Sequence, residues 1–199
     1  MTASPPAPSK SFRIGIICGS QRKPRVGDQI TDFVHEIIKL HSSSINNTAT
    51  FDFDYIDIET LSLPFYDEPG IPSKITSPEE YAHEHTRTWS RRVAALDAFV
   101  FVTPQYNWGI PAGLKNAIDF LYNEWKGKPA MIISYGGHGG DKAASSLKLC
   151  LGGTECREVL YKAARGEQLK LEAAKNDGIW SSERKRITGA WDEMVALQK

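Results

Sequence analysis

The sequence predicts an open, doubly wound α/β fold: a parallel sheet covered by helices on both faces in three layers, α/β/α. Short apolar runs at Phe12–Cys18, Ala98–Thr103 and Pro129–Ser134 lack a polar face, as strands buried on both sides do. The first two are followed by apolar residues every three or four positions, the mark of a helix with one buried stripe. Strands alternating with helices, joined by right-handed crossovers, give a parallel sheet.

Phe12–Cys18 reads as a central strand that stops at Gly19. After the loop GSQRKPRVG, the residues Val26, Ile30, Phe33, Val34, Ile37 and Ile38 mark the first helix. Phe51–Ile58 alternates, with Phe51, Phe53, Tyr55 and Asp57 on one face and Asp52, Asp54, Ile56 and Ile58 on the other, which suits an edge or near-edge strand. Leu61–Pro78 holds Pro64, Pro69, Gly70, Pro72 and Pro78 and is a long loop. Ser77 as N-cap, with Pro78 and Glu80, predicts a helix start, followed by Tyr81, His85, Trp89, Val93 and Leu96 on its buried side. Ala98–Thr103 is the third strand, and Leu114, Ala117, Ile118, Leu121 and Trp125 mark the helix after it. Pro129–Ser134 is the fourth strand, ending at YGGHGG.

The 199 residues are 41% hydrophobic and 24% charged, the balance of one globular domain over residues 12–199. A chain of this size buries roughly 70% of its unfolded surface. Lysines plus arginines equal aspartates plus glutamates at 24 each, so no whole-chain charge draws it to nucleic acid or an anionic membrane. No apolar run approaches the ~20 residues of a membrane span. Three cysteines, Cys18, Cys150 and Cys156, form no CxxC and read as reduced thiols. Met1–Ser11 is rich in Pro, Ser and Ala without the apolar core of a signal peptide, and is expected to be a disordered tail on a cytoplasmic protein.

In an open parallel sheet, ligands bind beyond the carboxyl ends of the strands. The first loop leaving that edge offers Gly19 and Ser20, the cations Arg22, Lys23 and Arg25, and then a helix N-terminus, a combination suited to a phosphate; its plainer reading is a solvated basic turn. It matches neither Walker A nor GxGxxG. The second sets Pro104, Gln105, Tyr106, Asn107 and Trp108 at a strand end, rings and amides suited to a planar, polar-edged ligand or, more plainly, to capping the core. The third places four glycines, Gly136, Gly137, Gly139 and Gly140, around His138, so that backbone can lie flat against a ring or a diphosphate. The sequence contains no GxSxG elbow, no HExxH and no metal-ligand spacing, so an enzyme built from these parts must take its reactivity from a cofactor.

The segments GSQR, TPQYNWGIPAGLKNAIDFLY and SYGGHGG together resemble the NAD(P)H-dependent FMN reductase family, in its fungal quinone/FMN reductase branch, over about Phe12 to Leu151. The resemblance implies a flavodoxin-like fold and an FMN. Its phosphate would lie with Gly19, Ser20, Arg22 and Arg25; its ribityl chain and ring with Pro104, Gln105, Tyr106 and Asn107; its pyrimidine side with Ser134, Tyr135, Gly136 and Gly137. Trp108 and His138 would border the nicotinamide or quinone. Many family members have Ser where Arg25 stands. The implied reaction is hydride transfer from NADPH or NADH through FMN to a quinone or free flavin in a ping-pong cycle, by a homodimer or homotetramer with flavin near the subunit interface. A flavodoxin-like electron carrier is a rival, disfavoured by the neutral charge and basic loop.

After Gly153 the sequence departs from that pattern. Glu155 to Lys175 has high helix propensity, with Gly166 as a break point, and only Val159, Leu160 and Tyr161 could core a strand. The fifth strand is therefore expected to be short or missing, leaving a four-stranded sheet with Pro129–Ser134 at its edge. A flavin-less binding module is the corresponding alternative. A final helix spans about Ser182 to Gln198, carrying Ile187, Trp191, Met194 and Val195.

Overall fold

The computed structural model describes residues 10–44, 49–137, 139–153, 157–161 and 181–197. Five parallel strands form its sheet: β1 (Ser11–Cys18), β2 (Thr50–Asp57), β3 (Ala98–Pro104), β4 (Pro129–Tyr135) and β5 (Arg157–Tyr161), in the order β2-β1-β3-β4-β5. The helices are α1 (Gly27–Ser44), a single turn α2 (Ile58–Leu61), α3 (Glu84–Ala94), α4 (Ala112–Asp119), α5 (Asp141–Gly153) and α6 (Ser181–Ala196).

Alternation along the strands divides the core into two layers. Ile14, Ile16, Val100, Val102, Met131 and Ile133 meet Val34 and Ile38 of α1 and Ile187, Trp191 and Met194 of α6. On the other face, Ile17, Phe99, Phe101 and Ile132 meet Trp89 and Val93 of α3, Leu114 and Ile118 of α4, and Leu147 and Leu151 of α5. The doubly wound α/β/α expectation holds, and β2 lies at the edge its mixed faces predict.

The four-stranded expectation does not hold. β5 pairs with β4 in register from Pro129↔Arg157 to Ile133↔Tyr161. At five residues it is short, yet it covers the apolar edge that β4 would otherwise expose. Backbone pairing along an open strand edge outweighs the helix propensity of the residues supplying it, a preference worth only tenths of a kcal/mol per residue. The rest of the helix expected over 155–175 lies outside the described residues, as does residues 1–9 of the expected tail; Ser11 already belongs to β1.

The helix start at Ser77 is also shorter than expected. Ser77 caps as predicted, accepting from the Glu79 N–H, but the result is one 3₁₀ turn, Pro78–Glu80, after which Tyr81 returns to extended backbone. α3 begins only at Glu84, where the buried Glu68 carboxylate accepts from the N–H groups of Ala82 (2.9 Å) and His83 (3.0 Å).

Candidate functional site

β1, β3 and β4 end side by side, Cys18 opposite Val102 and Pro104 opposite Tyr135, so the three loops leave one edge of the sheet. They are bonded to one another there. The Ser20 hydroxyl and the Tyr106 phenol share a 3.1 Å hydrogen bond, tying the first loop to the second. The Gln105 N–H donates to Tyr135 O at 2.8 Å, tying the second to the third. The Arg22 guanidinium lies 3.9 Å from the Tyr106 ring centroid, a cation–π contact across the same seam.

Glycine makes these approaches feasible. A Cβ on Gly19 would stand 3.0 Å from Leu114 Cδ2 and 3.2 Å from Thr103 Oγ1, and one on Gly27 would stand 2.4 Å from Ser20 Cβ and 2.5 Å from Tyr135 Oη. At Gly137 and Gly139 nothing stands within 4 Å of the corresponding positions. Among the described residues, the buried Ser134 Oγ and Tyr135 Oη have no hydrogen-bond partner. Burial chiefly pushes the Tyr135 phenol's pKa up, with the nearby Ser20 opposing, so the group is a neutral O–H donor at pH 7. Burial likewise raises the Cys18 thiol, which therefore offers no thiolate.

Two expected ligand residues are engaged elsewhere. The Gln105 side-chain oxygen accepts from the Lys142 N–H at 3.0 Å, capping the start of α5. Arg25 is paired bidentately with Asp57, at the end of β2, and donates to Ser20 O at 2.8 Å. Asp57 is the residue sequence reading missed. Its signal was available: it is the one charge on the face otherwise made by Phe51, Phe53 and Tyr55. His138 lies outside the described residues. Trp108 is 63% exposed at the tip of a two-residue turn closed by Tyr106 and Gly109, with φ of 48° at Asn107 and 67° at Trp108. Left-handed backbone is unusual for a residue as bulky as Trp and clusters at functional sites.

The Arg25–Asp57 pair has a consequence in acid. Burial opposes ionisation of Asp57, but hydrogen bonds from Arg25 and the Glu59 N–H, with the cations' charge, outweigh it and hold the carboxyl below the usual range. Because the folded pKa is depressed, the stabilisation is fully present above the unfolded value of about 4 and is lost as pH falls through the lower folded value. Thermal melts are expected to show wild type above Asp57→Asn near neutrality and the two converging in acid, as the carboxyl takes up its proton. A gap independent of pH would show that the ion pair is not its source.

A sheet of order 2-1-3-4-5 with its crevice beyond β1 and β3 defines the flavodoxin-like class of α/β proteins. Within it, the chain belongs to the NADPH-dependent FMN reductase family, whose model matches residues 12–165, through β5. An NAD(P)H-dependent FMN reductase of Saccharomyces cerevisiae is 49% identical over 150 residues, 74% of this chain and 78% of that one. Another, from Nectria sp., is 38% identical over 186 residues, 91% of this chain and 88% of its own. Among solved structures, a flavoenzyme NAD(P)H:(acceptor) oxidoreductase from Paracoccus denitrificans superposes with a TM-score of 0.65 at 24% identity, covering 94% of this chain and 97% of that one, a likeness of fold.

The residues present fit an FMN. The close-packed glycines at 19 and 27, the neutral Tyr135 donor beside them and the uncommitted Ser134 hydroxyl suit a phosphate and a polar-edged ring. Among the described residues, no cluster of His, Cys, Asp and Glu could hold a metal.

Proposed function

We propose that the chain is an FMN-dependent oxidoreductase using NADPH or NADH to reduce a quinone or free flavin, with the three-loop edge as its flavin site. The observation that carries the reading is that three loops of different chemistry are hydrogen-bonded to one another at one edge of the sheet. Bound FMN supplies the redox chemistry, accepting hydride from the nicotinamide and passing two electrons to the acceptor. Ser20, Arg22 and the N-terminal end of α1 hold the phosphate. Pro104, Tyr106 and Asn107 flank the ribityl chain and ring, while Gln105 holds its loop to α5. Ser134, Tyr135, Gly136 and Gly137 approach the pyrimidine side, where hydrogen-bond donors stabilise negative charge on reduction. Trp108 borders the space that nicotinamide and acceptor occupy in turn.

Residues 12–199 act as one domain in this reading, since both core layers share one sheet. A cytoplasmic homodimer or homotetramer completes it. Supporting the location, no helix among the described residues is long and apolar enough to cross a membrane, and Cys18 and Cys150 are free thiols.

The test is a visible spectrum of purified protein titrated with FMN, then mixed anaerobically with NADPH or NADH. Bound flavin should bleach, and added quinone should restore the colour, with parallel double-reciprocal lines in steady state. Flavin that binds but resists both donors would make the protein an electron carrier, and absence of flavin binding would remove the proposal.

A further inference from the structure

We infer that Arg25 is a positioning residue for flavin binding and not a phosphate ligand: it clamps the β1–α1 loop to the end of β2 and acts through Ser20. The inference rests on the reading of that loop as the phosphate cradle.

Three of the guanidinium's five N–H groups are already committed. Nη1 donates to Asp57 Oδ1 at 2.9 Å and to Ser20 O at 2.8 Å, and Nη2 donates to Asp57 Oδ2. Glu59 Oε2 lies 3.5 Å from Nη1, and Asp28 Oδ2 lies 4.0 Å from Nε. An anion approaching Arg25 therefore meets three carboxylates within 4.0 Å of its nitrogens. The side chains of Arg25 and Asp57 are only 14% and 12% exposed, so solvent screens the pair weakly.

What the pair holds is the loop. Asp57 is fixed in turn: its Oδ1 accepts from the Glu59 N–H at 3.0 Å as the N-cap of α2. Ser20 is held at two points, its carbonyl by Arg25 and its hydroxyl by Tyr106. Arg22, with no carboxylate partner among the described residues, is the arginine of this loop left to face an anion.

A planar bidentate fork is the group this geometry requires, and lysine cannot reproduce it. A phosphate ligand and a clamp consequently respond with different signs. If Arg25 bound phosphate directly, Asp57→Asn would free its charge and leave FMN binding unchanged or tighter, and Arg25→Lys would keep most of it. As a clamp, each substitution loosens Ser20.

The experiment measures FMN and riboflavin dissociation constants by quenching of flavin fluorescence, with apoprotein melting temperatures, for wild type, Asp57→Asn, Arg25→Lys and the apolar pair Arg25→Met/Asp57→Leu. Each single variant should weaken FMN about ten- to a hundredfold, the range of a lost charge-assisted hydrogen bond, while riboflavin, lacking the phosphate, changes little. The double variant removes both charges together, avoids leaving one buried and unpaired, and should show the same loss of FMN-over-riboflavin preference at a melting temperature near wild type. Asp57→Asn or Arg25→Lys binding FMN as tightly as wild type overturns the clamp. A wild type that does not prefer FMN to riboflavin overturns instead the phosphate-cradle reading on which it rests.

Discussion

Replacing Gly27 by alanine is expected to lower FMN affinity about tenfold or more, while Gly113→Ala leaves it within about twofold. Helix propensity alone argues the reverse for Gly27, because alanine is the better helix former by up to about 1 kcal/mol. Packing decides the sign. The new Cβ would stand 2.4 Å from Ser20 Cβ and 2.5 Å from Tyr135 Oη. Ser20 Cβ is attached directly to the loop backbone, and Tyr135 is a buried ring of the core, so neither yields without moving the loop. Ser20 would shift away from Tyr106, and the rim would open at the proposed phosphate position. Gly113 looks worse by distance, its Cβ falling 1.9 Å from Gln21 Oε1. That contact is the far end of a flexible side chain, which can swing aside, and α4 gains an alanine. Flavin-fluorescence titration of both variants separates the cases. Wild-type FMN affinity in Gly27→Ala would mean that the β1–α1 loop is not where the phosphate lies.

The same distinction between local and distant causes explains what the sequence could disclose. β1, β3 and β4 were legible because burial on both faces leaves a continuous apolar run, a property of the segment itself. The loops were legible by composition, since glycines, rings and cations at strand ends have few structural reasons to gather. β5 was not, because five residues among helix formers become a strand only where β4 offers an edge. The start of α3 was misplaced because a capping pattern marks a turn without fixing its length, and Glu68, the carboxylate at the real start, lies 14 residues before Ala82. The Arg25–Asp57 pair was not legible for the same reason. Asp57 is 32 residues away from Arg25 and comes beside it only when β1 and β2 pair in parallel. The cap that Gln105 makes was not legible either, because the start of α5 has no sequence signal pointing back to it.

The largest expected loss of stability belongs to Trp125, beyond the end of α4. Its side chain is fully buried, packed edge-on against Phe99 at 4.8 Å and Trp89 at 6.0 Å between ring centroids. The helix it follows ends at Asp119 and leaves carbonyls without intrahelical partners. Indole N–H groups add donors there: Trp89 donates to Ala117 O at 2.8 Å, and Trp125 donates at 3.3 Å to Ile118 O, which also accepts from the Leu121 N–H. α4 begins just after the Tyr106–Gly109 turn, so these two rings anchor the far end of the element that carries the second site loop. Trp125→Ala would leave a cavity in that layer and should cost about 3–5 kcal/mol, a fall in melting temperature of roughly 6–20 °C for a chain of this size. Trp125→Phe keeps most of the ring and loses only the long indole bond, so its cost should be less than half as large. Below the melting transition, both variants should still take up FMN, because no atom of Trp125 enters the rim. An alanine variant melting within about 3 °C of wild type would show that this layer closes over the cavity; one that melts normally but fails to bind FMN would place the control of the site in α4 itself.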